Sequence, residues 1–151
     1  MKITASSFEQ MISGLHRLSH SLSRQSDVLL QEKFALGTTQ FKIVWVLKKN
    51  PGGVPQKNIA TWLQQTEAAV SRQMQSMQED DLISSQVDSA NRRQNVVLLT
   101  EKGNTFASQA IKYMELQQGE VFKVLSEKEQ AQFCTMLQKV FDAFCKNNKW
   151  K

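Results

Sequence analysis

The sequence predicts a mainly α-helical domain that carries one small β-hairpin. Two prolines and six glycines in 151 residues leave few places to interrupt a helix. Apolar residues recur at spacings of three and four through most of the chain, and strand-like runs are confined to two short stretches after its midpoint. A single domain over residues 1–151 is expected, because one core commonly serves about 100 to 200 residues.

In the first helix, over about residues 7–34, Phe8, Met11, Ile12, Leu15, Leu18 and Leu22 form an apolar stripe that Leu29, Leu30 and Phe34 continue. Ser, Gln, Arg and His lie between them, so the stripe needs a partner surface along much of its length. Leu36-Gly37-Thr38-Thr39 breaks the pattern. Gly37 is expected to take a left-handed turn and either threonine to cap the next helix, which should turn Phe41, Val44, Trp45 and Leu47 inward. Asn50-Pro51-Gly52-Gly53 is the strongest turn signal, and Pro55 suits a first helical position, where the missing N–H costs nothing. A short third helix, Gln56 to Gln64, should bury Ile59, Ala60 and Leu63.

Thr66 can cap the fourth helix, Glu67 to Asp80. At 100° per residue Val70, Met74 and Met77 share its inner face. The opposite face carries Ala68, Ser71, Arg72, Gln75 and Glu79, all but the last small or able to donate hydrogen bonds. Leu82 to Val87 and Asn95 to Leu99 read as strands joined by residues 88–94, which hold Arg92 and Arg93. Thr100 should cap a fifth helix with Phe106, Ala107, Ala110, Ile111 and Met114 on one side. Ser126 and Glu129 form a capping box that opens a sixth, with Phe133, Met136, Leu137, Val140, Phe141 and Phe144 along one face.

Composition narrows the function classes. With 40% hydrophobic and 22% charged residues, the chain resembles neither a disordered segment nor a disulfide-stapled miniature. No apolar run approaches the roughly 20 residues that span a bilayer, and no apolar signal core precedes Glu9, so a cytoplasmic protein without a membrane partner is expected. Cys134 and Cys145 stand about 20° apart on the helical wheel and roughly 16 Å apart along the axis, too far to bridge within one helix. They read as packing residues, with thiol redox sensing the alternative. His16 and His20 are spaced like metal ligands on a helix but flank the apolar stripe, and no acidic or cysteine cluster completes a site. The absence of a phosphate loop, a nucleophile elbow and a carboxylate pair with a partner His argues against an enzyme. No cofactor, metal or catalytic residue is expected.

Nineteen basic against fourteen acidic residues give +5 per chain, which admits an anionic partner. Short helices, a turn and a longer helix followed at once by a hairpin are the order of a winged helix-turn-helix, whose last helix enters a major groove while the hairpin lies against the backbone. The outer face of the fourth helix suits a groove, since Arg72 and Gln75 can reach base edges, Ala68 and Ser71 permit close approach, and Glu79, Asp80 and Asp81 gather at the far end. Lys42, Lys48, Lys49, Lys57 and Lys102 lie in or beside the same motif.

Thr39-Gln40-Phe41, Pro55 to Leu63 as PQKNIATWL, Val70-Ser71-Arg72, Leu82-Ile83, Asp88 to Arg93, and Leu99 to Gly103 as LTEKG occur in an order similar to that of the MarR family of bacterial transcription regulators. The resemblance covers about residues 8–147. It implies a homodimer joined through its terminal helices, about 7–34 and 104–147, around a winged helix-turn-helix at about 38–103. It implies binding to a pseudo-palindromic double-stranded DNA operator through Gln56, Lys57, Thr66, Ala68, Ser71, Arg72, Gln75, Arg92 and Arg93. Similar proteins repress small-molecule-responsive genes and take a small aromatic or anionic effector; Trp45, Trp62 and the aromatic terminal helix are candidates to line such a pocket, and core packing explains them equally. Three departures stand out. Asp81 occupies a usual glycine position, where Asp can still enter the left-handed region; Ala90 and Asn91 replace an arginine and an aspartate of the usual wing; and Pro55 replaces a capping hydroxyl. The substituted wing motivates an alternative, a winged-helix interaction module with weakened DNA binding.

Overall fold

Ser6 opens the first helix, α1 (Ser7–Phe34), with a capping box: its hydroxyl accepts from the Glu9 N–H at 3.2 Å and its own N–H donates to the Glu9 carboxylate at 2.8 Å. The computed structural model describes residues 6–87 and 94–147, in two units, residues 1–114 and 115–151. In the first unit α1 is followed by α2 (Thr38–Lys49), β1 (Val54–Pro55), α3 (Gln56–Leu63), α4 (Glu67–Glu79), β2 (Ile83–Val87) and β3 (Asn95–Leu99). Helix α5 (Glu101–Phe122) begins in it, and α6 (Glu127–Asn147) lies in the second unit.

The core of the first unit gathers Ile43, Val44, Leu47, Ile59, Val70, Met74, Met77, Leu82, Ile83, Val97 and Ala107, one face from each surrounding element. The inner face expected of α4 is buried as the wheel arithmetic requires. A second cluster closes the end of α1: Leu30, Leu36 and Met114 are buried, and Phe34 meets Phe106 and Tyr113 edge to face at 5.5 Å each.

Four local expectations are corrected. The left-handed residue after α1 is Ala35 (φ 51°), not Gly37. Its N–H donates to the Gln31 carbonyl and that of Leu36 to the Leu30 carbonyl, a closure that carries Leu36 into the core. Gly37 is extended and is itself the N-cap of α2, its N–H held by Gln40 Oε1 at 3.0 Å. In α2 the core takes Ile43, Val44, Val46 and Leu47; Phe41 is half-buried, and Trp45 points outward. Pro55 precedes the first helical residue: it is the N-cap of α3 and half of β1, which pairs with β3 through Val54 opposite Val97 and Pro55 opposite Val96. The expected hairpin is therefore a three-stranded antiparallel sheet in the order β1, β3, β2.

In the second unit, the Ser126 N–H donates to Glu129 Oε2 at 2.8 Å and the Ser126 hydroxyl donates to the same oxygen at 2.7 Å. These bonds hold the Glu129 carboxyl below its ordinary range. The Gln130 side-chain amide donates to the carbonyls of Phe122 and Leu125, which closes the turn before α6. Met136, Leu137, Val140, Phe141 and Phe144 leave a continuous exposed apolar face on α6, as Phe8, Met11, Ile12 and Leu15 do on the first half of α1. Among the described residues no helix is long and apolar enough to cross a membrane.

Candidate nucleic-acid interface

Helix α4 begins where Thr66 caps it, its hydroxyl accepting from the Ala69 N–H at 3.2 Å. Gln65, just before, donates its side-chain amide to the Thr39 hydroxyl at 3.4 Å, which places the first turn of α2 beside the start of α4. From residue 34 to 66 the chain carries four lysines and no acid. Glu67 stands in the first turn of α4, at the positive end of its dipole.

Ala68, Ser71, Arg72 and Gln75 are all exposed, opposite the buried Val70, Met74 and Met77. This face is anchored rather than mobile as a whole, because its underside is fixed in the core. Gln75 is not free: its Nε2 donates to Glu79 Oε1 one turn later at 3.3 Å. Of the α3 residues, Gln56 is half-buried and Lys57 exposed at the helix start. Arg92, Arg93, Ala90 and Asn91 lie outside the described residues.

The far end of α4 is tied down. The Leu82 N–H reaches the Met77 carbonyl at 2.9 Å, and Asp81 adopts φ 56°, so the left-handed turn is kept with Asp in place of glycine. The Thr100 hydroxyl donates to the Asp81 carbonyl at 2.6 Å, Lys102 Nζ donates to the Asp80 carbonyl at 2.6 Å, and Thr100 Oγ1 accepts from the Gly103 N–H at 2.9 Å. These bonds join the end of α4 to the start of α5 and fix where the hairpin departs. They also take Lys102 out of the basic group expected to meet an anion, since its ammonium sits at the acidic end of α4. Lys48 likewise donates to Asn104 Oδ1 on α5. Lys42, Lys49 and Lys57 remain exposed.

Trp45 and Trp62 stack on each other at 5.8 Å and 18°, 38% and 50% exposed, with Lys49 Nζ 5.9 Å from the Trp45 ring centre. They form an outer aromatic and basic patch where α2 meets α3. Sequence reasoning missed this patch and the Gln75–Glu79 bond. The second was accessible from the i, i+4 spacing. Cys134 is exposed, Cys145 half-buried, and among the described residues no three His, Cys, Asp or Glu side chains gather as a metal site.

No family model matches the chain, and no curated protein does. Solved structures do. The DNA complex of MepR from Staphylococcus aureus is 26% identical over 88% of this chain and 97% of that one, with a TM-score of 0.75. The transcriptional regulator BldR from Sulfolobus solfataricus is 15% identical over 94% and 99%, with a TM-score of 0.82. A MarR-family transcriptional regulator from Rhodococcus sp. RHA1 is 16% identical over 91% and 96%, with a TM-score of 0.79. These neighbours are transcription regulators. With six helices and a three-stranded antiparallel sheet among the described residues, and with these neighbours, the chain has the winged helix-turn-helix fold of the MarR-family transcription regulators.

Proposed function

We propose that the protein is a cytoplasmic transcription regulator that binds a pseudo-palindromic double-stranded DNA as a homodimer and represses genes responsive to a small aromatic or anionic effector. The observation that carries this reading is the outer face of α4. Ala68, Ser71, Arg72 and Gln75 are presented to solvent by a helix whose other face is locked in the core. A rigid element that offers small residues and donors is what major-groove reading requires.

In this reading Gln56, Lys57 and Thr66 hold phosphates beside the groove, Ala68, Ser71, Arg72 and Gln75 meet base edges, and Arg92 and Arg93 hold the flanking backbone. The winged helix-turn-helix occupies about residues 38–103, and the helices at about 7–34 and 104–147 make the dimer. The exposed apolar faces of α1 and α6 support that assignment, since contiguous apolar surface of this kind marks an interface.

Selection from a pool of random duplexes tests the proposal. The protein is expected to enrich one motif with two related half-sites about one helical turn apart. Retention of all sequences alike would contradict it.

A further inference from the structure

Glu79 stands out on the face that carries Ala68, Ser71, Arg72 and Gln75, because a carboxylate there repels phosphates and weakens binding to any duplex. Its contact suggests what it gives in return. We propose that Glu79 is a positioning residue for base reading: it holds the Gln75 amide so that the carbonyl oxygen faces the DNA. The inference rests on the DNA-binding reading above and adds to it the residue that sets what Gln75 can recognise.

The side chains are one helical turn apart and both exposed, and Gln75 Nε2 donates to Glu79 Oε1 at 3.3 Å. An ionised carboxylate only accepts hydrogen bonds. Turning the amide over would set oxygen against oxygen, so one of its two orientations is kept and the other lost. The amide nitrogen carries two hydrogens. One serves Glu79, and the second remains beside the carbonyl as a donor and acceptor pair. That pair matches the N7 and N6 edge of adenine in the major groove. A glutamine without this partner must be ordered on binding and can present either end, which costs affinity for the right base and forgives the wrong one.

The test uses the full-length chain, the duplex it selects, and duplexes that change one base pair at a time, with Gln75→Ala, Glu79→Ala and Glu79→Gln. Gln75→Ala should abolish a discrimination of about 5- to 150-fold at one base pair per half-site. Glu79→Ala should reduce the discrimination at that same base pair by roughly 2- to 10-fold and leave the other positions unchanged. Glu79→Gln, whose amide can either accept from Gln75 or donate to it and so holds both orientations, should reduce it as well. Both Glu79 variants should bind duplexes altered at that base pair more tightly, because a negative charge is gone.

Parental discrimination in Glu79→Ala would overturn the inference, as would equal losses at all base pairs, or a Glu79→Gln protein that discriminates as the parent does. A parent chain that selects no sequence would overturn the DNA reading and this inference with it. A selective parent with an indifferent Glu79 would overturn this inference alone.

Discussion

Gly103 lies directly against the backbone of Leu82: a Cβ at residue 103 would stand 1.8 Å from the Leu82 carbonyl oxygen and 2.7 Å from its carbon. Both groups are backbone, so neither can rotate away. The contact lets α5 start at the point where the hairpin leaves α4, and the Thr100 and Lys102 bonds close around it. Gly103→Ala is therefore expected to cost about 3 kcal/mol or more, at the severe end for added core volume. Urea unfolding checks this, and a midpoint equal to the parent's would contradict it.

Asp81 gives the opposite sign. Its φ of 56° is a left-handed conformation that strains an L-residue and not glycine. Asp81→Gly should gain about 0.5 to 1 kcal/mol, the strain relieved exceeding the entropy added to the unfolded chain. Asp81→Val should lose stability. Denaturant midpoints with an unchanged slope would measure both.

Much of this was legible in the sequence. The inner face of α4, the caps at Thr66 and Ser126 and β3 follow from periodicity and local side-chain chemistry, and the left-handed turn at Asp81 from the family resemblance. Strand β1 was not legible, because Val54 and Pro55 are a strand only through β3, some forty residues later, and a proline argues locally against one. The outward direction of Trp45 was readable: at 100° per residue it lies about 200° from Ile43. Size and aromaticity suggested the core instead. The left-handed Ala35 was hidden beside a glycine better suited to the role, since what fixes it is the burial of Leu36. Of the candidate site, the exposure of Ala68, Ser71, Arg72 and Gln75 on one face of α4 was legible residue by residue. The engagement of Lys48 and Lys102 was not, because their partners come from other elements.

The capping box at the start of α6 supplies a pH prediction. Hydrogen bonds from the Ser126 side chain and backbone stabilise the ionised Glu129 carboxylate and lower its pKa. Its contribution to α6 is thus fully present above the ordinary glutamate pKa and lost as the pH falls through the lowered folded value. In an NMR titration Glu129 should titrate below the ordinary glutamate value, and Ser126→Ala should move it back toward that value. A Glu129 that titrates at the ordinary glutamate value would contradict the structure here.

The apolar faces of α1 and α6 predict assembly. Light scattering at micromolar concentration should give twice the chain mass, and replacing Val140 and Phe141 by Asp should shift the protein toward monomer. A parent chain of single mass would remove the basis for two half-sites.

Salt dependence separates anchoring from reading. A dimer that neutralises about six to ten phosphates should lose roughly 10³ to 10⁵ in affinity between 50 and 200 mM salt. Arg93→Ala should weaken all duplexes alike and lower the logarithmic salt slope by about two per dimer. A flat response with binding intact would mean the duplex is held by other means.

Whether the outer face of α4 reads DNA sequence is decided by titrating Arg72→Ala against the selected duplex and its single-base variants. Arg72 is exposed on that face, three residues before Gln75, and a guanidinium can serve a base edge or a phosphate. Arg72→Ala should remain folded, bind the selected duplex about 5- to 150-fold more weakly, on the order of 1 to 3 kcal/mol, and no longer distinguish at least one base pair per half-site. Arg72→Ala binding as tightly and as selectively as the parent would contradict the DNA-reading role, for the outer face of α4 would then be only a solvated surface.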